Sequence, residues 1–128
     1  PLTGAVIVST PQDVALTVAS KAIAMFQKLS VPILGMVENM SYYNCPHCGA
    51  REDIFGHGGA RAAAERMHFP FLGEIPLDVN IRTESDRGRP VARDETTTTG
   101  RAFWGVARAL IKQIELARDQ AAEPIVIE

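Results

Sequence analysis

Two short apolar segments, with an amphipathic helix between them, largely determine which folds this chain can adopt. Residues 4–9 and 32–37 are almost wholly apolar, which is typical of strands covered on both faces of a parallel sheet. Between them, apolar residues at helical spacing mark a face that we expect to pack on the core, namely Val14, Val18, Ala22, Met25, Phe26 and Leu29. A strand, a helix and a strand in such close succession form a βαβ unit, in which both strands run parallel. The sequence therefore predicts an α/β fold built on a parallel sheet.

The start of this helix and the next unit of the sheet can also be predicted. Thr10 is a suitable cap, Pro11 suits the first helical position, and Asp13 carries a carboxylate at the positive end of the helix dipole. An alanine-rich helix is predicted from Gly59, followed by a strand over residues 69–75. We expect this second unit to extend the same sheet.

The last third of the chain contains one long helix. Residues 93–100 are polar, include four consecutive threonines and lack periodicity, which predicts a surface loop. A long helix is predicted from about Gly100, with its buried face marked by Phe103, Val106, Ala107, Leu110, Ile111 and Ile114. Trp104 falls off this stripe, which indicates a contact surface. Residues 124–128 are interpreted as a tail or an added edge strand.

Composition limits the classes of function. A chain of 128 residues, of which 46% are hydrophobic, can bury one core and has the usual size of a single domain. The net charge is −2 and there is no run of Lys or Arg, so the sequence offers no surface for nucleic acid or an anionic membrane. No apolar stretch approaches the roughly 20 residues of a membrane span. We therefore expect a soluble, intracellular protein that binds neither nucleic acid nor membrane.

The chain has only two cysteines, Cys45 and Cys48, and their spacing is typical of metal ligands. Both thiolates can reach one ion from a tight turn, and Gly49 tolerates the positive φ that such a turn often needs. A tetrahedral zinc or an iron–sulfur cluster normally has four protein ligands, so we expect a second copy of the chain to supply the other two. Dithiol redox chemistry is the next alternative. A structural disulfide is a third, but the sequence shows no secretory signal to support it.

The predicted topology places the cysteines beside a ligand-binding edge. Asn39 follows the second strand immediately, and the loop over residues 41–58, which carries both cysteines, comes next. Open α/β sheets bind ligands at the carboxyl ends of their strands. The turn formed by Pro76, Leu77 and Asp78 ends the third strand on the same edge. We therefore expect the two loops to flank a planar ligand.

The sequence lacks a phosphate-binding loop of its own. Such a loop needs glycines at a helix N-terminus, and a P-loop also needs Lys after Gly. None of the three lysines follows a glycine, and the cluster Gly56 to Gly59 has no strand before it. The sequence also opens directly on a core strand. We therefore expect an N-terminal portion to precede it.

Several motifs in order resemble one family of ATPases. They are residues 4–13, residues 31–41, the pair Cys45 and Cys48, residues 54–56, residues 71–78, Ile81 with Arg82, residues 84–86, and Gly88. Together they are similar to the C-terminal half of an Mrp-type P-loop ATPase, the iron–sulfur cluster carrier branch of the MinD/ParA superfamily. By this resemblance, residues 1–120 are the C-terminal portion of one P-loop ATPase domain with a metal loop at 41–58, and residues 121–128 are a tail.

The resemblance also implies a function. It implies a homodimer that binds ATP and Mg through the N-terminal half and holds a labile 4Fe-4S cluster between the cysteine pairs of two subunits, for transfer to apo iron–sulfur proteins. Cys45 and Cys48 would be the cluster ligands, Asn39 would hydrogen-bond adenine, and Ile75, Pro76 and Leu77 would line the base pocket. The intact protein would be a weak ATPase, whereas this sequence alone is not expected to hydrolyse ATP. The implied compartment is the cytoplasm or, alternatively, a mitochondrial or plastid matrix.

Simpler interpretations stay open for these residues. The cysteines would also suit a zinc-stapled dimerisation module without cluster transfer, and a MinD-like positioning ATPase is a weaker third option. Asn39 would equally close a turn, and Pro76 would equally end its strand. His57 and His68 are possible zinc ligands. The charged residues Arg82, Glu84, Asp86 and Arg87 are interpreted as a solvated, mutually paired surface.

Overall fold

The computed structural model describes residues 2–121, which form a parallel sheet with helices on both faces. The elements in chain order are β1 (Ala5–Ser9), α1 (Asp13–Lys28), β2 (Ile33–Glu38), β3 (Tyr43–Asn44), β4 (Arg51–Glu52), α2 (Gly59–Met67), β5 (Phe71–Glu74), α3 (Val79–Asp86), a 3₁₀ turn (Val91–Arg93) and α4 (Thr98–Ala121). The sheet has three strands in the order β1-β2-β5, all parallel, and β3 and β4 form a separate antiparallel hairpin. The predicted α/β class and parallel sheet are confirmed.

Apolar layers pack on both faces of the sheet, but β1 is not covered on both faces as predicted, because Val8 is 58% exposed. Ile7 and Met36 face α1 and α2 on one side, whereas Val37 and Leu72 face α4 on the other. In the register of the sheet, Ser9 pairs with Glu38, and Glu38 pairs with Glu74. The carboxyl ends of all three strands therefore lie side by side at one edge, as predicted.

The predicted start of α1 is wrong. The helix begins at Asp13, its capping residue is Gln12, and Thr10 Oγ1 donates to Gln12 Oε1 at 3.0 Å instead of capping. Pro11 is buried, and its carbonyl lies so close to Gly59 that a side chain there would collide with it. Pro11 thus packs against the start of α2, and the first turn of α1 begins two residues later than predicted. Asp13 lies in the first turn, as predicted.

The predicted buried face of α1 is mostly wrong. Val14 is 79% exposed, Val18 is 63% exposed, and Met25 and Leu29 are also exposed. The residues that pack on the sheet are Leu16, Ala19, Ile23 and Phe26. Both sets follow a helical period, so the spacing of apolar residues could not decide which one faces the core.

The region after β5 is more helical than predicted. Asp78 begins α3 by accepting a hydrogen bond from Asn80 N at 2.7 Å, in a segment with too few apolar residues to indicate a helix. The predicted surface pairing of its charges is confirmed. Arg82 pairs with Asp86 at 3.4 Å, and Arg87 pairs with Glu84 at 2.8 Å.

The long C-terminal helix begins earlier than predicted. Thr97 Oγ1 accepts from Gly100 N at 3.0 Å, so α4 starts at Thr98 and takes the last three residues of the predicted loop. Phe103, Val106 and Leu110 pack on the sheet as predicted. Ala107 and Ile111 are exposed, because the packed face turns toward Ala102 and Ala109 instead. Ile114 is half-buried.

Some predictions concern other parts of the surface or lie outside the described residues. Trp104 is 40% exposed, and its indole N–H donates to the Ala92 carbonyl at 3.0 Å, which joins α4 to the 3₁₀ turn. Among residues 2–121, no helix is both long and apolar enough to span a membrane. The predicted tail or edge strand at residues 124–128 lies outside the described part of the chain.

Candidate functional site

The two cysteines lie in the turn that joins β3 to β4. Cys45 N donates to the Ala50 carbonyl at 2.8 Å, and Gly49 N donates back to the Cys45 carbonyl at 2.8 Å. Gly49 has φ of +73°, in the left-handed region that favours glycine, as predicted. These bonds close a tight turn around the two thiols, so both belong to one small, preformed structure.

The turn stabilises a thiolate at Cys45. Hydrogen bonding from the backbone N–H groups of Cys48 and His47, and then from the Cys48 thiol, lowers the pKa of Cys45, while burial and Glu52 act in the opposite direction. Both cysteines are free thiols, Cys45 half-buried and Cys48 exposed. A thiolate is the form that binds metal. The turn therefore favours the ligand form of at least one of the two sulfurs.

The two sulfurs make an incomplete ligand set. Within residues 2–121, no histidine or carboxylate joins them in a group of three possible ligands. His57 lies among other side chains at the sheet edge, and His68 ends α2 with φ of +59°. The structure therefore groups neither histidine with the thiols. Two donors leave half of a tetrahedral coordination sphere open.

Asn39 lies at the end of the central strand. Its backbone N–H donates to the Ser9 carbonyl at 2.8 Å, and its side-chain Oδ1 accepts from Met40 N at 3.0 Å. Met40 has φ of +53°, so the Asn39 side chain supports a tight turn out of the strand. The residue is half-buried and stands at the ligand edge, where the topology predicted it.

The other predicted base-pocket residues divide between the core and a cleft. Ile75 is 4% exposed and belongs to the core. Pro76 and Leu77 line a cleft of about 330 Å³ whose other wall includes Cys45 and Pro46. Asn39 does not line this cleft. The structure thus brings Pro76 and Leu77 next to the cysteine turn, and that the two loops flank a planar ligand stays a prediction.

Sequence reasoning gave no role to Glu38, which is completely buried at the end of β2. Its Oε1 accepts from the Ser41 hydroxyl at 2.7 Å and from Gly58 N at 2.9 Å, and its Oε2 accepts from Ala60 N at 2.8 Å. One carboxylate therefore closes both ends of the loop that carries the cysteines, and also binds the N-terminus of α2. The sequence feature that could have indicated a role for Glu38 is a carboxylate at the end of an otherwise apolar strand.

His57 lies between two carboxylates. Its Nδ1 is 3.7 Å from Glu38 Oε1, and its Nε2 is 3.5 Å from Glu74 Oε1. The three side chains are close enough to be considered as metal ligands. However, the two ring nitrogens face different carboxylates, and both Glu38 oxygens already accept hydrogen bonds. The arrangement therefore suits a bridging imidazole better than a chelate.

The fold is that of the MinD-type P-loop NTPases. The solved structure of the MinD cell division ATPase of Pyrococcus furiosus aligns with a TM-score of 0.65 and 28% identity, over 86% of this chain and 43% of that one. The sequence profile described as ParA, NUBPL iron-transfer P-loop NTPase, matches residues 1–111. The chain belongs to this family.

Individual relatives agree with that assignment. The chain is 48% identical over 117 residues to a protein of Dictyostelium discoideum named iron-sulfur cluster transfer protein NUBPL, covering 91% of the chain and 36% of the relative. It is 52% identical over 116 residues to the iron-sulfur cluster carrier protein of Deinococcus radiodurans, covering 90% and 33%. The chain thus spans about a third of the length of these relatives.

A second solved structure is the nucleotide-binding protein of Archaeoglobus fulgidus in complex with ADP and with cobalt. It is 46% identical and aligns with a TM-score of 0.60, over 68% of this chain and 36% of that one. This neighbour therefore shares both the fold and a large part of the sequence.

Proposed function

We propose that this chain carries an iron–sulfur cluster on Cys45 and Cys48 and passes it to acceptor apo-proteins. The observation that supports this proposal most strongly is the preformed turn with two free thiols, one of them with a lowered pKa and the other exposed. Thiolates are the usual ligands of such clusters. An exposed site with few ligands also favours release, as a carrier requires. Relatives named as cluster carrier and transfer proteins add weight to this choice.

The number of cysteine ligands in one chain indicates that a cluster would need two chains. A 4Fe-4S cluster takes four cysteine ligands, and this chain has two. Two copies whose cysteine turns face one another would complete the set. We therefore infer that the cluster is bound between two subunits, with Cys45 and Cys48 of each as ligands.

We also infer that a nucleotide binds beside the cluster. Residues 1–120 would be the C-terminal portion of one P-loop ATPase domain, and the phosphate loop and Mg ligands would come from a portion that this sequence does not contain. Asn39, Pro76 and Leu77 would form the base side of that site, with Ile75 supporting them from the core. The ADP complex of the Archaeoglobus fulgidus relative supports nucleotide binding. Because Pro76 and Leu77 share a cleft with Cys45, base binding would change the surroundings of the cysteine turn.

Anaerobic reconstitution with iron and sulfide tests the carrier function. We expect visible absorption from a thiolate-ligated cluster and about two irons per chain, since four irons would be shared by two chains. The Cys48→Ser variant should bind no cluster and remain folded. Wild-type iron and sulfide content in Cys48→Ser would contradict the proposal.

A zinc-stapled interaction module is the second candidate. The same turn supports it, because thiolate sets that hold iron–sulfur clusters also hold zinc. This candidate predicts a colourless protein that retains stoichiometric zinc after anaerobic preparation and takes up no sulfide. The compartment, whether cytoplasm or organelle matrix, stays a prediction.

A further inference from the structure

The two arms of the cysteine hairpin are attached to the sheet edge in different ways. The β3 arm is held by backbone hydrogen bonds, from Ser41 N to the Ile75 carbonyl at 3.0 Å and from Leu77 N to the Tyr42 carbonyl at 2.7 Å. The β4 arm pairs with β3 in the antiparallel ladder, and its Arg51 guanidinium stacks on the Tyr42 ring of the β3 arm at 4.2 Å from the ring centroid. Its own contact with the strand ends is made by the Arg51 side chain, through His57.

Arg51 connects the β4 arm to His57. Its terminal nitrogen NH2 lies 3.1 Å from His57 Nδ1, and its Nε lies 3.2 Å from Asp53 Oδ1. The same NH2 lies 3.5 Å from His57 Nε2, and the Ser41 hydroxyl lies 3.2 Å from Nδ1. His57 Nε2 lies 3.5 Å from Glu74 Oε1. The imidazole therefore contacts Arg51 of the hairpin and, at the strand ends, the carboxylate of Glu74.

The sheet supplies a firm base for this connection. Glu38 and Glu74 are register partners on β2 and β5, which places both carboxylates on the same face of the sheet. Glu38 is fixed by three hydrogen bonds, and Arg61 lies 3.6 Å from Glu74. The carboxylates on either side of the imidazole are therefore held by groups of the sheet and of α2.

We propose that His57 is a positioning residue for the cysteine pair, because it joins Arg51 on the hairpin to the carboxylates at the strand ends and so fixes the hairpin over the sheet edge. This inference rests on the proposed function, because the cysteine pair that His57 positions is the proposed metal-binding pair. Partners that orient metal ligands typically change metal affinity by 10–100-fold when they are removed. We expect an effect of about tenfold here, at the lower end of that range, because His57 acts through Arg51.

The first test measures amide hydrogen exchange at Cys45 and Gly49 in the metal-free 128-residue chain. Both amides close the hairpin, and we expect exchange about tenfold faster in His57→Leu, which loses the polar contacts with Arg51, in line with the loss of one hydrogen bond. His57→Asn keeps a polar side chain with both an acceptor and donors and should restore most of the protection. His68→Asn is the matched control, because Asn tolerates the left-handed φ of His68, and it should exchange like the wild type.

The second test titrates the same proteins with Co²⁺ and follows the thiolate-to-cobalt absorption. We expect about tenfold weaker binding for His57→Leu, recovery in His57→Asn, and no further loss when Arg51→Gln is added to His57→Leu. The proposal is overturned if either readout of His57→Leu matches the wild type, if Asn is no better than Leu, or if the Arg51 and His57 losses simply add. The exchange readout needs no metal. Failure of cluster reconstitution would thus count against the proposed function and leave the positioning result standing.

Discussion

Glu38, which closes the loop over residues 41–58 from the end of β2, and the cysteine pair, which lies within that loop, differ in how far their bonding is complete. Glu38 is completely buried, and each of its oxygens accepts at least one hydrogen bond. Cys48 is exposed, and both thiols are free. A buried polar group must find its partners within the protein, whereas an exposed reactive group can leave them to a ligand. We infer that Glu38 holds the loop in its conformation and that the cysteine pair is the part of the loop that binds a ligand.

Replacing the cysteines should give the largest functional effect and almost no effect on stability. We expect Cys45→Ser and Cys48→Ser to lose cluster binding completely. Their free energies of unfolding should stay within about 0.5 kcal/mol of the wild type, because the turn lies outside the core. Iron content after reconstitution and urea unfolding of the metal-free proteins measure the two quantities. A cysteine variant that unfolds much more easily would show that the pair is structural.

Replacing Glu38 should have the opposite effect. Glu38→Ala leaves the Ser41 hydroxyl and two backbone N–H groups without their acceptor, and we expect a loss of about 3–5 kcal/mol. Since that loss approaches the whole stability of a small domain, Glu38→Gln is the milder variant, with an expected loss of about 2 kcal/mol. Urea unfolding measures both. Glu74→Ala is the control on the neighbouring strand; its side chain is 21% exposed, and we expect a loss below about 1 kcal/mol. Equal losses for Glu38→Gln and Glu74→Ala would contradict the role given to Glu38.

Two glycines test whether the cysteine turn depends on its backbone conformation. A Cβ added at Gly49 or Gly105 meets no atom within 4 Å, so neither substitution creates a collision. Gly49 has φ of +73°, and we expect Gly49→Ala to destabilise the protein by about 1 kcal/mol. Gly105 lies within α4, where Gly105→Ala should stabilise by up to about 1 kcal/mol. Thermal unfolding of both variants measures the difference, and the same sign for both would contradict the expected strain at Gly49.

The smallest expected effect is on the pH dependence of Cys45 alkylation, which concerns the cysteine turn alone. Thiolates react with iodoacetamide and thiols do not, so a lowered pKa allows Cys45 to react at lower pH than an ordinary cysteine. We expect the midpoint of its rate against pH to lie below the ordinary thiol value, as measured for the Cys45 peptide by mass spectrometry. A midpoint at or above that value would show that the N–H groups of His47 and Cys48 do not stabilise the thiolate.

The strand pattern predicted the sheet well because buried strands differ from their surroundings in composition. The segments at 4–9 and 32–37 became β1 and β2 with shifts of one residue. The face of α1 could not be predicted in the same way. Leu16 and Ile23 alternate with Val14 and Val18 around one helix, and only the packed structure shows which pair meets the sheet.

The sequence could predict those parts of the candidate site whose residues are close in sequence. It could not predict the parts that are formed by residues far apart in the chain. Cys45 and Cys48 form a pair that spacing alone indicates, and Asn39 follows from strand topology. The bonds from Glu38 to Gly58 and Ala60 join residues 20 and 22 positions apart, so no local pattern contains them. His57 likewise owes its position to strands that precede and follow it.

Native mass spectrometry of the anaerobically reconstituted protein tests the shared cluster most directly. If two chains each contribute Cys45 and Cys48, the spectrum should show two chains plus one 4Fe-4S cluster, and the Cys48→Ser protein should show no such species. A cluster on a single chain, or a dimer that carries zinc and no sulfide, would contradict it.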